Sequence, residues 1–107
     1  MFQLIKSSGM MTLLNQVKSL VNPYLQDEKM EAGVNEFTIE EGNIAIDVKC
    51  EHMFDDEPMK WSPRLRHSNA YIIPKQVLVY VSDEDGNYGQ PQDMTKAFDV
   101  YEYKILN

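Results

Sequence analysis

Residues 35–51 read NEFTIEEGNIAIDVKCE, and this stretch decides the fold class. Apolar side chains occupy every second position on both sides of a Glu-Gly-Asn turn. They are Phe37, Ile39, Ile44, Ile46, Val48 and Cys50. A period of two places successive side chains on opposite faces of a strand. The pattern therefore predicts a β-hairpin with one dry face and one wet face.

Before the hairpin, the apolar residues follow a helical period. Leu14, Val17, Val21 and Tyr24 recur at spacings of three and four, which is typical of a helix with one buried face. Asn22-Pro23 interrupts the pattern, because proline removes a backbone hydrogen bond and clashes with the preceding turn. We therefore predict an N-terminal helix that is kinked or split at Pro23, with a helical part covering about residues 8–32.

Two further strands are predicted after the hairpin. Residues 77–81, VLVYV, form a continuous apolar run that indicates a central strand covered on both faces. Pro74 predicts a bulge or a short edge segment just before this run. Residues 97–106, AFDVYEYKIL, have the aromatic and β-branched composition of a strand.

The last strand carries two apolar sets that are out of phase. Phe98 and Val100 point one way in an extended chain, whereas Tyr101, Tyr103 and Ile105 point the other way. Either a bulge resets the register or one face of the strand carries exposed aromatic side chains.

These elements predict a single α+β domain over residues 1–107. The N-terminal helix packs on a four-stranded, mainly antiparallel sheet that covers about residues 35–106, because this arrangement buries both the helical stripe and the dry strand faces.

The charge and the cysteine content limit the function classes. The formal net charge is −7, and residues 27–60 carry eleven acids against three bases. Such a surface repels phosphate groups, so we expect no direct nucleic-acid binding and a protein partner with a basic surface. Cys50 is the only cysteine, and no apolar run has the length of a membrane span. A cytoplasmic protein without membrane contact is predicted.

The connection between the second and third strands is long, at about residues 54–69, whereas hairpin loops usually have two to five residues. Long loops often carry function, and this one runs from acids through tryptophan to arginines. The predicted partner-binding residues are Asp55, Asp56, Glu57, Trp61, Arg64 and Arg66. A loop packed on itself, with salt bridges between its ends and Trp61 in the core, is the alternative.

We interpret the chain as a small acidic, non-catalytic protein-binding module of the inhibitor, adaptor or assembly type. An alternative is an acidic, nucleic-acid-mimicking inhibitor of a basic nucleic-acid-handling protein, of the mobile-element accessory or immunity type. No cofactor and no enzymatic activity are predicted, because no motif pairs a nucleophile with a base. An aromatic last strand at a sheet edge could also pair with a second copy of the chain.

A metal-dependent protein or enzyme around Cys50, His52 and His67 is the second alternative. Cys50 and His52 lie two residues apart on one strand face, and zinc takes ligands of both types. Most zinc sites have two spaced ligand pairs, however, and here one of the two pairs is missing. A separation of about 7 Å along the strand also leaves the thiol beyond hydrogen-bond distance of the imidazole.

Overall fold

The computed structural model describes residues 2–59 and 62–106, with the side chains of residues 12–55 and 69–105. The α+β class is confirmed. In chain order the elements are helix α1 (Phe2–Leu25), strands β1 (Gly33–Glu41), β2 (Ile44–Met59), β3 (Ser62–Val81) and β4 (Gln92–Asp93), a 3-10 turn (Thr95–Ala97), and strand β5 (Tyr101–Leu106).

All strand pairs in the described sheet are antiparallel, in the order β1-β2-β3. The other edge of β3 pairs with β4 near Leu78 and with β5 over His67–Ile72. The sheet therefore has five strands rather than the predicted four. The extra strand, β4, has only two residues, which is too short to leave a periodic signal in the sequence.

The predicted hairpin is confirmed, and the structure supplies its register. Phe37 pairs with Val48 and Ile39 with Ile46, so the dry faces of β1 and β2 coincide. Gly42 has a φ of 58° in the turn between them, a left-handed conformation that glycine adopts without steric cost.

Of the kink or split predicted at Pro23, the split is wrong. Helix α1 is one element that contains Pro23 and ends at Leu25, and the predicted helical residues 26–32 instead form turns and a bend. Val21 and Leu25 are buried on either side of the proline, so packing against the sheet offsets the one hydrogen bond that Pro23 removes. The helix also begins earlier than predicted, at Phe2.

Helix α1 packs on one face of the sheet. Val17, Val21 and Leu25 of the helix share a core with residues of β2 and β3 that include Ile46 and Ile72. Tyr24, which we expected in the buried stripe, is 49% exposed and lies against the Phe37 ring instead, with ring centroids 4.9 Å apart.

The opposite face of β3 is only partly buried in the described structure. Leu78 and Tyr80 are intermediate in exposure, whereas their neighbours Val77 and Val79 are fully buried. The central position predicted for residues 77–81 is thus correct, and the predicted cover on both faces is not. An apolar run can also arise when one face is buried and the other is half covered by its own long side chains.

The bulge predicted beside Pro74 is confirmed. The two out-of-phase apolar sets of the last predicted strand also have a simple explanation. Lys49 pairs with Gln76 and Cys50 with Pro74, so Lys75 is an extra residue in β3. Phe98 is buried before β5 begins at Tyr101, so the two apolar sets belong to different segments.

Within the described residues, no helix combines the length and the hydropathy needed to cross a membrane.

Candidate functional site

The described residues of the predicted long loop form two paired strands instead. Strand β2 continues to Met59 and β3 begins at Ser62, with the pairs continuing as Phe54↔Ala70, Asp55↔Asn69, Asp56↔Ser68, Glu57↔His67 and Pro58↔Arg66. The loop prediction was wrong because acids and prolines are depleted in strands, whereas here backbone pairing with β3 overrides that preference. We call residues 53–59 and 62–69 the arm.

The arm places the predicted acids and arginines on adjacent strands. Asp55 lies on β2 and its side chain is exposed. The backbones of Asp56 and Glu57 follow on β2, and those of Arg64 and Arg66 lie on β3. Trp61 lies outside the described residues, so the choice between an interface element and a self-packed one stays a prediction.

The arm extends beyond the first strand. Gly33, the first residue of β1, pairs with His52, so in the described part of the chain residues 53–59 of β2 have β3 on one side and no strand on the other. Met53 is 43% exposed and Phe54 is 44% exposed at this point. Sequence reasoning missed both residues, because two adjacent exposed apolar side chains do not follow the alternation that predicts the faces of a strand.

His52 joins three elements at the base of the arm. It is 1% exposed, its Nδ1 lies 2.8 Å from the backbone oxygen of Met30, and its Nε2 lies 2.6 Å from the Tyr103 hydroxyl. The carbonyl only accepts, so in a neutral ring Nδ1 carries the hydrogen and Nε2 accepts from the tyrosine. The Phe54 ring packs on the imidazole with centroids 4.5 Å apart.

Two tyrosines of β5 extend this network to the segment after helix α1. The Tyr101 hydroxyl donates to Glu28 Oε2 at 3.2 Å. The Tyr103 hydroxyl lies 3.4 Å from the Glu28 backbone oxygen, but its one hydrogen is donated to His52 Nε2, so these two oxygens are in contact without a hydrogen bond. Tyr101 and Tyr103 stack with centroids 5.5 Å apart. The turn after α1, the strand β2 and the strand β5 are thus connected around one buried imidazole.

The geometry does not bring together the residues of the metal hypothesis. Both His52 nitrogens already have partners. The His67 backbone pairs with Glu57, five register positions from the His52–Ile72 pair and so about 17 Å away. In the part of the chain that the structure describes, no group of three or more His, Cys, Asp or Glu side chains is placed to hold a metal ion.

Cys50 is a buried packing residue in this structure. It is 0% exposed, and its Sγ lies 3.6 Å from the Met30 Sδ. Burial raises the pKa of the Cys50 thiol, which keeps it in the unreactive protonated form.

A cavity of about 750 Å³ lies beside the 3-10 turn, with Leu14, Lys75 and Lys96 among its lining residues. Asp93 Oδ1 accepts hydrogen bonds from the Thr95 hydroxyl at 2.5 Å and the Thr95 N–H at 2.9 Å, and these bonds lower the pKa of the Asp93 carboxyl. The Thr95 hydroxyl in turn accepts from the Val77 N–H at 2.9 Å. These polar groups hold the turn against β3, and no histidine or cysteine is among the described lining residues.

Alkaline pH is expected to destabilise the fold. Desolvation raises the pKa of the Cys50 thiol, and desolvation followed by the Glu28 carboxylate raises the pKa of Tyr103. For Tyr101, desolvation is again the first cause, before the hydrogen bond and the charge of Glu28. Each group therefore loses its proton at lower pH in the unfolded chain, so the unfolded state binds fewer protons and stability falls as pH rises.

Urea titrations across pH test this expectation. The free energy of unfolding should fall progressively above about pH 9, where an unfolded thiol and unfolded tyrosines begin to ionise. Tyr101→Phe should make the fall shallower. A free energy of unfolding that stays level or rises over this range would contradict the assignment.

Comparisons of this chain with protein-family models, with curated proteins and with solved structures find no match.

Proposed function

We propose that this chain is a non-catalytic protein-binding module that engages a partner with a basic surface through the arm. The observation that carries the proposal is the arm itself, a strand extension that continues beyond β1 with an unpaired stretch of β2 in the described structure. Exposed apolar side chains at Met53 and Phe54 adjoin the acids Asp55, Asp56 and Glu57 on this stretch.

The shape of the molecule supports a role in binding. The radius of gyration is 18.1 Å, whereas a compact domain of this length has about 13 Å. The longest dimension is 66 Å, against 25 Å and 17 Å for the others. Such an extended sheet exposes more surface than its own core needs, and that surface can contact a partner.

The unpaired stretch of β2 can contribute in two ways. Its backbone N–H and C=O groups can pair with an extended segment of another protein, which provides affinity through main-chain hydrogen bonds. Its three acids favour basic side chains on that segment and disfavour acidic ones, since like charges placed opposite each other repel. A partner with a basic surface is therefore favoured.

Charge reversal on the arm tests the proposal. We expect Asp55→Lys/Asp56→Lys to lose the proteins that the wild-type chain captures from its native source, because opposite charges in the interface become like charges. The matched control is Glu84→Lys/Asp85→Lys, which makes the same charge change at exposed residues of the β3–β4 connection. Capture at low and moderate salt, with quantification by mass spectrometry, measures the effect.

Equal capture by both double variants would contradict the proposal, as would capture that salt leaves unchanged. Trp61→Ala distinguishes an interface role of Trp61 from a core role. Weaker capture with an unchanged melting temperature would make Trp61 an interface residue, whereas a large drop in melting temperature would make it a core residue. If duplex DNA displaces the captured protein, the nucleic-acid-mimicking inhibitor becomes the better interpretation.

A further inference from the structure

Several stretches of strand edge lack a paired neighbour in the described structure, and among them are the outer edge of β1, residues 53–59 of β2, and the outer edge of β5. Exposed edges of this kind are protected in natural proteins by like charges and by proline. The β1 edge carries Glu36, Glu40 and Glu41 without a base. The β2 stretch carries three acids and Pro58, also without a base. Neither edge can pair with its own copy without placing acids close together.

The β5 edge has no such protection. Its sequence is YEYKIL, which contains one acid, one base and no proline. The side chains of Glu102 and Lys104 are both exposed, and neither takes part in a salt bridge within the described residues. A charge-balanced, aromatic and β-branched edge is favourable for strand pairing.

Symmetry limits how two copies of this edge can pair. In an antiparallel ladder, the two residues of a pair either both direct their N–H and C=O groups toward the partner strand or both direct them away from it. These two kinds of pair alternate along the strand. A two-fold axis between two such strands must therefore lie midway between two copies of the same residue, which then pair with each other. An axis at Glu102 would place two glutamates opposite each other, and an axis at Lys104 would do the same with two lysines. An axis at Tyr103 places Glu102 opposite the Lys104 of the other copy, twice.

We propose that two copies of this chain pair antiparallel through β5, with the two-fold axis at Tyr103. The two Glu–Lys pairs then lie on one sheet face, and on the other face Tyr101 lies opposite Ile105 of the second copy. Tyr101, Tyr103 and Ile105 are all partly exposed in the single chain. Opposite-charge pairs and aromatic–β-branched pairs across strands both stabilise a sheet.

This pairing is independent of the arm and of the proposed function. It buries one short strand edge per copy, so it belongs with weak, transient interfaces that bury less than about 1,200 Å². Self-association should therefore be measured over a wide range of protein concentration.

Sedimentation equilibrium of charge-reversed variants tests the proposal. Glu102→Lys alone and Lys104→Glu alone each turn both cross-strand pairs into like-charge pairs, and each should weaken dimerisation at least about fivefold. The double variant Glu102→Lys/Lys104→Glu restores opposite charges and should dimerise as the wild type does. A mixture of the two single variants should form a mixed dimer. One strand then carries lysine at positions 102 and 104 and the other carries glutamate at both, so both cross-strand pairs again join opposite charges.

The control is Glu40→Lys, an exposed reversal on β1 that should leave dimerisation unchanged. Circular dichroism of each variant confirms that it is folded before its dimerisation is compared. A wild-type chain that stays monomeric at all concentrations would overturn the proposal. A dimer that the single reversals do not weaken, or one that the double variant fails to restore, would also overturn it.

Discussion

Ile72→Ala is expected to lower the free energy of unfolding by about 2–5 kcal/mol, the range for truncation of a fully buried isoleucine. Ile72 is 0% exposed and lies at the middle of the sheet, where it pairs with His52 of β2 and with Tyr101 of β5. The cost combines the lost transfer free energy of the removed methyl groups with the cavity left among side chains that cannot fully collapse.

Ile73→Ala provides the matched control for Ile72. It removes the same atoms from the next residue of β3, whose side chain lies on the opposite face and is only partly buried. We expect it to cost less than half as much, because water already reaches part of that face. Chemical denaturation with a comparison of midpoints at constant slope measures both values. Equal costs would mean that something covers the outer face in solution, contrary to the one-sided packing of α1.

His52→Ala is expected to lower the free energy of unfolding by about 2–4 kcal/mol. The change removes a buried ring and leaves the backbone oxygen of Met30 and the hydroxyl of Tyr103 without the partners at 2.8 Å and 2.6 Å. Both groups belong to partly buried residues, so the loss of their partners adds part of a desolvation cost to the cost of the cavity that the ring leaves. The melting temperature should fall by about 10–20 °C for a domain of this size.

The control for His52 is Lys49→Ala on the same strand. Lys49 is exposed and its ion pair with Glu36 spans 3.7 Å between half-exposed side chains, so its loss should cost less than about 1 kcal/mol. Tyr103→Phe provides the second variant. Because it removes the other end of the same hydrogen bond, its effect should be less than additive with His52→Ala. Additive effects would show that the two residues act separately and that the network is not a unit.

The sequence predicted the parts of the fold in which local and tertiary requirements agree. The hairpin of Phe37, Ile39, Ile46 and Val48 was predicted with its turn and its dry face, because strand period, turn chemistry and burial all agree there. The bulge beside Pro74 was predicted for the same reason, since proline cannot donate to the ladder.

The candidate site was predicted only in part. Residues 54–69 were singled out for their order of acids, tryptophan and arginines, and the structure shows that residues 54–59 and 62–69 form strands. Their acids and prolines are typical of loops, and only the backbone bonds that β2 and β3 make with each other reveal the strand. Met30 and Tyr103, the partners of His52, are 22 and 51 residues away in sequence, so no local pattern could connect them to it.

By itself, the sequence determined the α+β class, the dry face of the hairpin, the acidity of the surface and the edge chemistry of the last strand. These properties depend on residue type and period, which are local. Only the tertiary structure decided that α1 runs through Pro23, that residues 54–59 and 62–69 continue the sheet, and that His52 joins three elements. Each of these outcomes depends on packing or hydrogen bonding between distant segments, and that free energy exceeds the local preferences of the residues involved.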